Sequence, residues 1–366
     1  MTCVMEEGGL GEIMKKLFTA LVAVVGISFL LFYGFKLFNG TDYHEEDGTN
    51  TNAASKEQDE FFAELEEYYP DLFNVISKDL ETYVVPGLVQ TESVQAKGED
   101  KGDADQTEDM TPQGLSFAEN FVIISAYSAS YSHNSVLWLL DRESGDYLKM
   151  IVLPTTSHVG GIAYDTQHER LWITTTDKDS SSQISALDLE TLKQEDFSKS
   201  QKEVTFDQQY DLVIIEKSSY MSYYDNHLLV GYFDKDEKGH LGIFDLDNQG
   251  LLFRKNEGND GYQPKRMIDT LKKIQGVAVG DKEIIFSQSY GKDDSKLLFF
   301  AFDNLDNLGH LDQEKDIEKD LTAPPYMQQI VAEEDGLYLL FESSAFKYRL
   351  NPTVTSVDRV LKINVD

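Results

Sequence analysis

One pattern recurs five times along this chain and limits what it can fold into. Each copy has two short apolar stretches joined by a short polar pair, and the first copy runs from residue 113 to residue 127. It opens on a Gln-Gly step and ends in small polar residues. The later copies begin at Gly160, Ser219, Gln275 and Gln328. Because paired short apolar stretches with turn residues between them are typical of antiparallel strands, the pattern predicts an all-β repeat.

A third apolar stretch follows each pair and ends on Asp or Asn. The five end residues are Asp141, Asp188, Asp245, Asp303 and Asn351. Such side chains bond their own backbone two residues on, so we interpret them as turn formers that lead to a fourth strand. They lie roughly 50 residues apart, which suits four-stranded blades. We therefore predict a β-propeller of about five four-stranded blades over residues 111–366, and a degenerate sixth blade stays open.

The same pattern predicts where the outer strands lie. Third strands are predicted at 135–141, 183–188, 240–245, 296–303 and 346–351. Fourth strands are predicted at 147–153, near 203–206, at 251–254 and at 356–365. The fourth strand after Asp303 is the least obvious one. Whether the apolar run at 84–90 closes the ring is an open question at this stage.

An uncharged run at 17–35, rich in Val, Leu, Phe and Ile, predicts a membrane anchor. As a helix it spans roughly 28 Å, about the thickness of a bilayer core. Lys15 and Lys16 precede it and acidic residues follow it, so the positive-inside rule predicts an extracytoplasmic C-terminal domain on a single-pass protein of the bacterial cell membrane. The predicted order is a cytoplasmic N-terminus (1–16), a transmembrane signal-anchor helix (17–37) and a flexible tether (38–54). The alternative is a cleaved signal peptide that begins at Met14.

Two segments join the tether to the propeller. An amphipathic helical segment is predicted at 55–84, because Ser55 and Gln58 form a capping box and an apolar stripe follows. The stripe consists of Phe61, Phe62, Leu65, Tyr69, Leu72, Phe73, Ile76, Leu80 and Tyr83. Pro70 is expected to kink the helix or to start a second one. The stripe packs on the propeller or on a second copy of itself, or it binds a partner. Residues 91–110 are predicted to be a disordered acidic linker.

Candidate functional residues follow from the blade alignment. In a propeller the first strand of each blade lines the central channel. The alignment places Gln113, Gly160, Ser219, Gln275 and Gln328 at equivalent positions, with His158 and Gln329 nearby. The predicted ligand-binding residues are Gln113, Tyr127, His158, Ser219, Gln275 and Gln328. Amides and hydroxyls suit a polar ligand, and tyrosines at a mouth suit stacking on sugars or peptides. The structural alternative is that the glycine allows close packing of blades and the glutamine bonds neighbouring backbone.

Acid chemistry has one candidate in this alignment. Glu342, at the end of the second strand of the last blade, is the carboxylate that we predict to face inward. An enzyme would use Glu342 or a loop acid together with His158 as its catalytic residues. No second imidazole or carboxylate is predicted at the depth of His158, so we predict no metal site and no cofactor. The formal charge of −33 repels phosphate backbones, which disfavours nucleic acid as a partner.

Three segments carry a resemblance to known proteins. Pro112-Gln-Gly-Leu, Ile124-Ser-Ala-Tyr-Ser and Ser135-Val-Leu-Trp-Leu-Leu-Asp resemble the repeats of YncE-like and quinoprotein-like propellers. They are also similar, more faintly, to the bacterial and plant glutamine cyclotransferases, which are five-bladed. The resemblance covers roughly residues 111–366 and implies the fold far more than the activity. A cyclotransferase implies a glutamate early in the second strand of the first blade, where this chain has Ile123-Ile-Ser-Ala-Tyr.

Together these observations predict a membrane-anchored extracytoplasmic propeller that binds a polar small molecule, a glycan or a protein at its channel mouth. One alternative is a propeller enzyme, glutamine-cyclotransferase-like or hydrolytic, with its site at the same mouth. Another is an interaction protein that works through its helix and blade edges. An inward carboxylate with a raised pKa would favour the enzyme, and a channel lined only by amides would favour the binding module.

Overall fold

The computed structural model describes residues 55–77, 83–253, 261–310, 314–349 and 355–364. The predicted cytoplasmic N-terminus, anchor and tether lie outside these residues, so their boundaries stay predictions. In the described part of the chain, no helix is long and apolar enough to cross a membrane.

Short antiparallel strands make up most of the described chain. The elements before the first blade are α1 (Ser55–Tyr68), α2 (Pro70–Val75), β1 (Thr91–Val94) and β2 (Ala104–Thr107). Blade 1 contains β3 (Met110–Ala118), β4 (Phe121–Ser128), β5 (Val136–Asp141) and β6 (Tyr147–Val152). Blade 2 contains β7 (Ile162–Asp165), β8 (Arg170–Thr176), β9 (Ser182–Asp188), the helices α3 (Leu189–Gln194) and α4 (Phe197–Ser200), and β10 (Gln208–Asp211).

The remaining blades follow the same order. Blade 3 contains β11 (Tyr220–Tyr224), β12 (His227–Tyr232), β13 (Gly239–Asp245) and β14 (Arg266–Thr270). Blade 4 contains β15 (Ile274–Val279), β16 (Glu283–Gln288), β17 (Ser295–Ala301), a 3-10 turn (Leu308–His310) and β18 (Lys319–Ala323). Blade 5 contains β19 (Met327–Glu333), β20 (Gly336–Phe341) and β21 (Leu361–Ile363).

The five sheets form a closed ring. Their first strands, β3, β7, β11, β15 and β19, each contact the next one around the axis, and β19 contacts β3. Within every blade the strands are hydrogen-bonded in chain order from the axis outward. The predicted all-β, five-bladed propeller is therefore confirmed, and the described residues contain no sixth blade.

The hydrophobic core lies between the blades rather than at one centre. Each of the five clusters of buried apolar side chains combines residues from two neighbouring blades, and the cluster of blades 5 and 1 also includes Phe197 of blade 2. Trp138 belongs to the cluster between blades 5 and 1, and Trp172 belongs to the cluster between blades 2 and 3. Successive side chains of a strand point to opposite faces of its sheet, and both faces of each sheet are covered. Nearly continuous apolar runs such as β5 follow from this burial on both faces.

The helices α1 and α2 lie against blades 4 and 5. Phe61, Leu65, Leu72 and Ile76 are buried in the cluster that these two blades share. Pro70 is the first residue of α2, where a missing backbone N–H breaks no helical hydrogen bond. The prediction that the stripe packs on the propeller is confirmed for these residues. α2 ends at Val75, and Ile76 after it has an extended backbone. The predicted boundary at residue 84 stays a prediction, because residues 78–82 lie outside the described residues.

Blade 5 takes strands from both ends of the described chain. Its third strand is β21, whereas 346–351 was predicted, and residues 342–349 form turns instead. The bridges on the outer edge of this strand join Ile76 to Ile363 and Val84 to Arg359. The segment predicted as a fourth strand at 356–365 is therefore the third strand, because residues from before blade 1 occupy the outermost position. This pairing also closes the ring.

The fourth strands of blades 2 and 3 lie later than predicted, and that of blade 4 had no predicted position. β10 replaces the run near 203–206, β14 replaces the run at 251–254, and β18 is the strand that the pattern left least obvious. In blade 2 the helices α3 and α4 follow β9 directly and bury Phe197, which delays the fourth strand. In blade 3, Leu252 pairs with Leu246 inside the connection after β13.

The acidic residues that end the third strands have two kinds of partner. Asp141 Oδ1 accepts two backbone amides of the following turn at 2.9 and 2.8 Å, which confirms it as a turn former. Asp188 instead accepts Arg170 Nε at 2.8 Å, and Asp245 accepts Lys265 Nζ at 3.2 Å. The turn-former prediction therefore holds for the first blade, while charge pairing occupies the next two side chains.

The region predicted as a disordered acidic linker contains a β-hairpin. β1 and β2 pair along their full length. Thr91 and Ser93 are buried, and Ser93 Oγ donates to the Asn134 backbone oxygen at 2.7 Å. The expectation for residues 91–110 is corrected here, because the small polar residues among the acids hydrogen-bond to blade 1. Acidic composition alone gives no sign of such bonds.

Candidate functional site

A cavity of about 770 Å³ opens at one end of the central channel. The residues of its wall that were predicted from the sequence are Gln113, Tyr127, His158, Gly160, Ser219, Gln275, Gln328 and Glu342. The blade alignment thus identified side chains that the fold brings together from across the ring. That these residues bind a ligand stays a prediction.

Bulges in the first strands place the glutamines in this wall. The pairing register shifts around Gln113 in β3, around Gln275 in β15 and around Gln328 in β19. A bulge leaves its extra residue outside the ladder of backbone hydrogen bonds and re-aims that side chain. Because the first strands converge on the axis, the re-aimed amides share one cavity.

Glycines beside these positions allow the blades to approach closely. A Cβ atom on Gly114 would lie 2.4 Å from Ser125 Oγ. In blade 2, a Cβ atom on Gly161 would lie 2.3 Å from the backbone nitrogen of Met221 in the next blade. Neither distance leaves room for a side chain. The structural explanation of the repeated glycine is therefore confirmed.

Hydroxyl groups near the ends of the second strands connect neighbouring blades. Ser125 Oγ accepts the Gly114 amide at 2.9 Å and donates to the Val159 carbonyl at 2.7 Å. Ser287 Oγ donates to the Gln328 carbonyl at 2.8 Å. The sequence pattern shows small polar residues here without assigning them a role. The signal that identifies them is a hydroxyl paired in register with a glycine of the first strand.

Gln329 closes the axis beneath the cavity. Its Oε1 accepts the amides of Leu115 and Ile162 at 3.1 and 3.0 Å. Its Nε2 donates to the carbonyls of Ile162 and Met221 at 2.6 and 3.1 Å. These four bonds fill the capacity of the amide and join blade 5 to blades 1, 2 and 3. A second cavity of about 300 Å³ lies on the far side of Gln329. The glutamine that bonds neighbouring backbone is therefore this one.

Glu342 is a carboxyl group buried in the cavity wall, with 7% of the residue exposed. Its Oε2 accepts Gln113 Nε2 at 2.6 Å, and Gln328 and Tyr348 also hydrogen-bond to the carboxyl. Burial raises the pKa of Glu342 to about 7, against the opposing effects of Lys347 and these donors. The predicted inward carboxylate is therefore present, and it is only partly ionised at neutral pH.

His158 lies between two tyrosines. Its Nε2 is 3.2 Å from the Tyr131 hydroxyl, and its ring meets Tyr127 edge-on with centroids 3.9 Å apart. Solvent in the cavity reaches the ring. Burial by the surrounding wall, together with Lys347 and Lys217, nevertheless lowers the pKa of His158 to about 4. The imidazole is therefore neutral at pH 7 and provides one donor and one acceptor.

Six aromatic residues surround the opening: Tyr127, Tyr131, Phe233, Tyr290, Tyr326 and Tyr348. Tyr131 and Tyr290 are 40% and 45% exposed, so their faces are available to a ligand. Tyr326 and Tyr348 stack on each other with centroids 4.2 Å apart. Tyr220, the first residue of β11, does not reach the opening and is buried in the core between blades 3 and 4.

Two lysines lie in the cavity wall that the sequence pattern did not predict there. Lys217 precedes β11, and Lys347 lies in the turns after β20. With Glu342, they are the charged residues among the described residues that line this cavity. Strand periodicity does not predict the path of a loop, so their position could not be read from the pattern. In the described part of the chain, no three His, Cys, Asp or Glu side chains come together as metal ligands.

Comparison with known proteins adds distant similarities. The chain matches no protein-family model and no curated protein. The PQQ-bound aldose sugar dehydrogenase from Streptomyces coelicolor is 12% identical over 70% of this chain and 94% of that chain, with a TM-score of 0.42. A glucose dehydrogenase is 11% identical over 75% and 85%, with a TM-score of 0.39. The β-propeller domain of the Trilobed protease from Pyrococcus furiosus is 10% identical over 63% and 79%, with a TM-score of 0.33.

These similarities are too distant to assign a function to this chain. The blade order itself shows the class, which is a five-bladed β-propeller. The predicted propeller fold is confirmed by the blade order, and the resemblance to quinoprotein-like repeat propellers stays a resemblance.

Proposed function

We propose that this protein is a binding module whose channel mouth holds a polar ligand with sugar-like rings. The observation that carries the proposal is the convergence of polar side chains from all five blades and six aromatic residues on one cavity. Aromatic faces stack on the apolar faces of sugar rings, and amides and hydroxyls bond the ring hydroxyls.

Two of these polar groups keep hydrogen-bonding capacity for a ligand. Gln275 Nε2 makes a long bond of 3.4 Å to the Ser289 carbonyl. Ser219 Oγ accepts the amide of Phe233 at 3.2 Å, and its own proton stays free to donate. Polar atoms at an open cavity bond water when the cavity is empty, and a ligand with matching groups replaces that water.

The test is a thermal-shift screen of the full-length protein in detergent micelles against neutral sugars, acidic sugars, peptides and nucleotides. We expect a sugar to raise the Tm by several degrees, and the variants Gln275→Ala and Tyr290→Ala to lose the shift. Gln249→Ala and Tyr68→Ala are matched controls, because both residues are exposed and lie outside the cavity wall. A shift that the cavity variants retain, or no shift with any sugar, would contradict the proposal.

The membrane location is part of the proposal. Its support is the uncharged run at 17–35 with Lys15 and Lys16 before it. We expect the full-length chain to stay in the membrane fraction after an alkaline wash, and protease added to intact cells to digest the propeller. Recovery of the whole propeller in the culture medium would rule out a retained anchor.

An enzyme is the second candidate, because Glu342 combines an inward position with a pKa raised to about 7. A carboxyl that titrates near neutrality suits a general acid or base. The reaction would be glutamine-cyclotransferase-like or hydrolytic. A peptide with an N-terminal glutamine should then lose ammonia on incubation, measured by mass spectrometry, and the variant Glu342→Gln should be inactive. Absence of product with the unmodified protein removes the cyclotransferase hypothesis and leaves the binding module and a hydrolase.

A further inference from the structure

A groove of about 990 Å³ adjoins the channel mouth beside blades 1 and 2. The residues that belong to the walls of both cavities are Thr156, Thr175, Thr176 and Ser180. The groove and the mouth therefore adjoin along these four residues. Sites for compact ligands typically measure about 300–1,000 Å³, and each of these cavities is near the upper end of that range. Their combination suits an elongated ligand.

The hairpin of β1 and β2 forms one wall of this groove. Residues 94–96 line it. The Asn134 amide donates to the Val94 carbonyl at 2.9 Å, and the Ala96 amide donates to the Ser132 carbonyl at 2.8 Å. Backbone hydrogen bonds to blade 1 thus hold the wall in place. The acidic segment before the propeller completes a cavity.

Lysines follow the whole path from the mouth into the groove. They are Lys217 and Lys347 in the mouth, and Lys101, Lys178 and Lys202 in the groove. In the described part of the chain, none of these five lysines forms an ion pair. This concentration of unpaired positive charge stands out in a chain whose formal charge is −33.

The carboxyl groups on the same path are engaged by protein donors. Asp177 accepts two backbone amides of its own loop at 2.9 and 2.7 Å. Glu203 accepts the side-chain amide of Asn134, and Glu342 accepts that of Gln113. Salt screens charges beyond about 8 Å at physiological ionic strength. A ligand in the groove therefore responds to these lysines more than to the distant acidic surface.

We propose that the channel mouth and the groove form one continuous site for a linear anionic glycan. This inference rests on the proposed function of the mouth as a sugar-binding site. Sugar rings lie against Tyr131 and Tyr290 in the mouth, and carboxylate or phosphate substituents face the lysines. Occupying both cavities takes a chain longer than a disaccharide.

The test is a fluorescence-polarisation assay with the full-length protein in detergent micelles. The probes are labelled digalacturonate and hexagalacturonate, a neutral hexasaccharide and a phosphorylated hexasaccharide. We expect an acidic hexasaccharide to bind about tenfold or more tightly than both the acidic disaccharide and the neutral hexasaccharide. The tighter of the two acidic hexasaccharides identifies the anionic group.

Paired lysine substitutions locate the longer ligand in the groove. Lys178→Gln combined with Lys202→Gln should weaken the acidic hexasaccharide about tenfold and leave the disaccharide unchanged, because the disaccharide occupies only the mouth. Lys193→Gln combined with Lys282→Gln removes the same charge outside both cavities and should change neither affinity.

The outcomes separate this inference from the proposed function. Two results would contradict the continuous site while the mouth remains a binding site. In the first, the disaccharide binds and the acidic hexasaccharide binds no more tightly. In the second, the groove substitutions leave the affinity for the acidic hexasaccharide unchanged. If none of these four probes binds, both proposals are overturned. Equal affinity for a short oligothymidylate or an acidic hexapeptide overturns the assignment to a glycan.

Discussion

The centre of the ring and its mouth use the same type of side chain in different ways. Gln329 at the centre makes four hydrogen bonds to the backbone of neighbouring blades. Gln328, one residue earlier, lies in the cavity wall and hydrogen-bonds Glu342. The bulge in β19 gives these adjacent residues separate surroundings. One step along a strand therefore separates a side chain that holds the ring together from one that lines the cavity.

Replacing Gln329 with leucine breaks the central half of this comparison and has the largest expected effect. Leucine leaves four buried backbone groups without partners, and each costs about 1–3 kcal/mol. We expect Gln329→Leu to lower the free energy of unfolding by about 4 kcal/mol or more, measured by urea denaturation. Gln275→Ala, which removes a single long bond at the mouth, should cost about 1 kcal/mol or less. Similar losses of unfolding free energy for both variants would contradict the distinction between the centre and the mouth.

The second prediction compares a glycine that lies against the next blade, Gly161, with an uncrowded glycine, Gly280. In Gly161→Ala the new Cβ meets the backbone of Met221 and Tyr220 at 2.3 and 2.5 Å, and backbone cannot rotate away. We expect a loss of about 3 kcal/mol in unfolding free energy. Gly280→Ala is the matched control, because its nearest neighbour is the Glu283 carbonyl oxygen at 3.6 Å. A loss below about 1 kcal/mol for Gly161→Ala would show that the blades can separate without cost.

The features that the sequence predicts well are the ones that repeat. Three blades repeat a glycine with close neighbours, at Gly114, Gly161 and Gly276, and four blades repeat a polar residue at the channel position, so these requirements appear as a pattern in the chain. Gln113, Gln275 and Glu342 could be identified as wall residues for this reason. The sequence did not predict which of the adjacent residues Gln328 and Gln329 would lie on the axis. A bulge changes the direction of side chains, and the pattern carries no clear sign of it.

Three features that occur once were not predicted. At the outer edge of blade 5, Ile76 pairs with Ile363, and these residues come from opposite ends of the described chain. No local pattern in the sequence predicts such a pairing. The hairpin of β1 and β2 depends on buried hydroxyls within an acidic segment. Lys217 and Lys347 reach the mouth from loops. In all three cases the decisive contact is between segments far apart in sequence.

The mouth also differs from the centre in holding an ionisable group. Burial raises the pKa of Glu342 from 4.5 to about 7. The folded protein therefore binds this proton more tightly than the unfolded chain, so stability from this group falls as the pH rises from about 4.5 to about 7 and is then constant. The titratable groups that interact with Glu342 are Lys347, Tyr348 and Tyr127.

Glu342→Gln should remove this pH dependence, with the smallest effect of the three variants. At about pH 8 we expect the variant to be more stable than the unmodified protein by about 1–3 kcal/mol, and at about pH 4 the difference should vanish. The lowered pKa of His158 makes stability rise between about pH 4 and about pH 6.5 in both proteins, so it cancels in the comparison. Urea denaturation across this pH range measures the difference. A stability difference that does not change with pH would contradict this prediction. It would mean that the hydrogen bonds of the ionised Glu342 carboxylate are as fully satisfied at the mouth as those of Gln329 are at the centre.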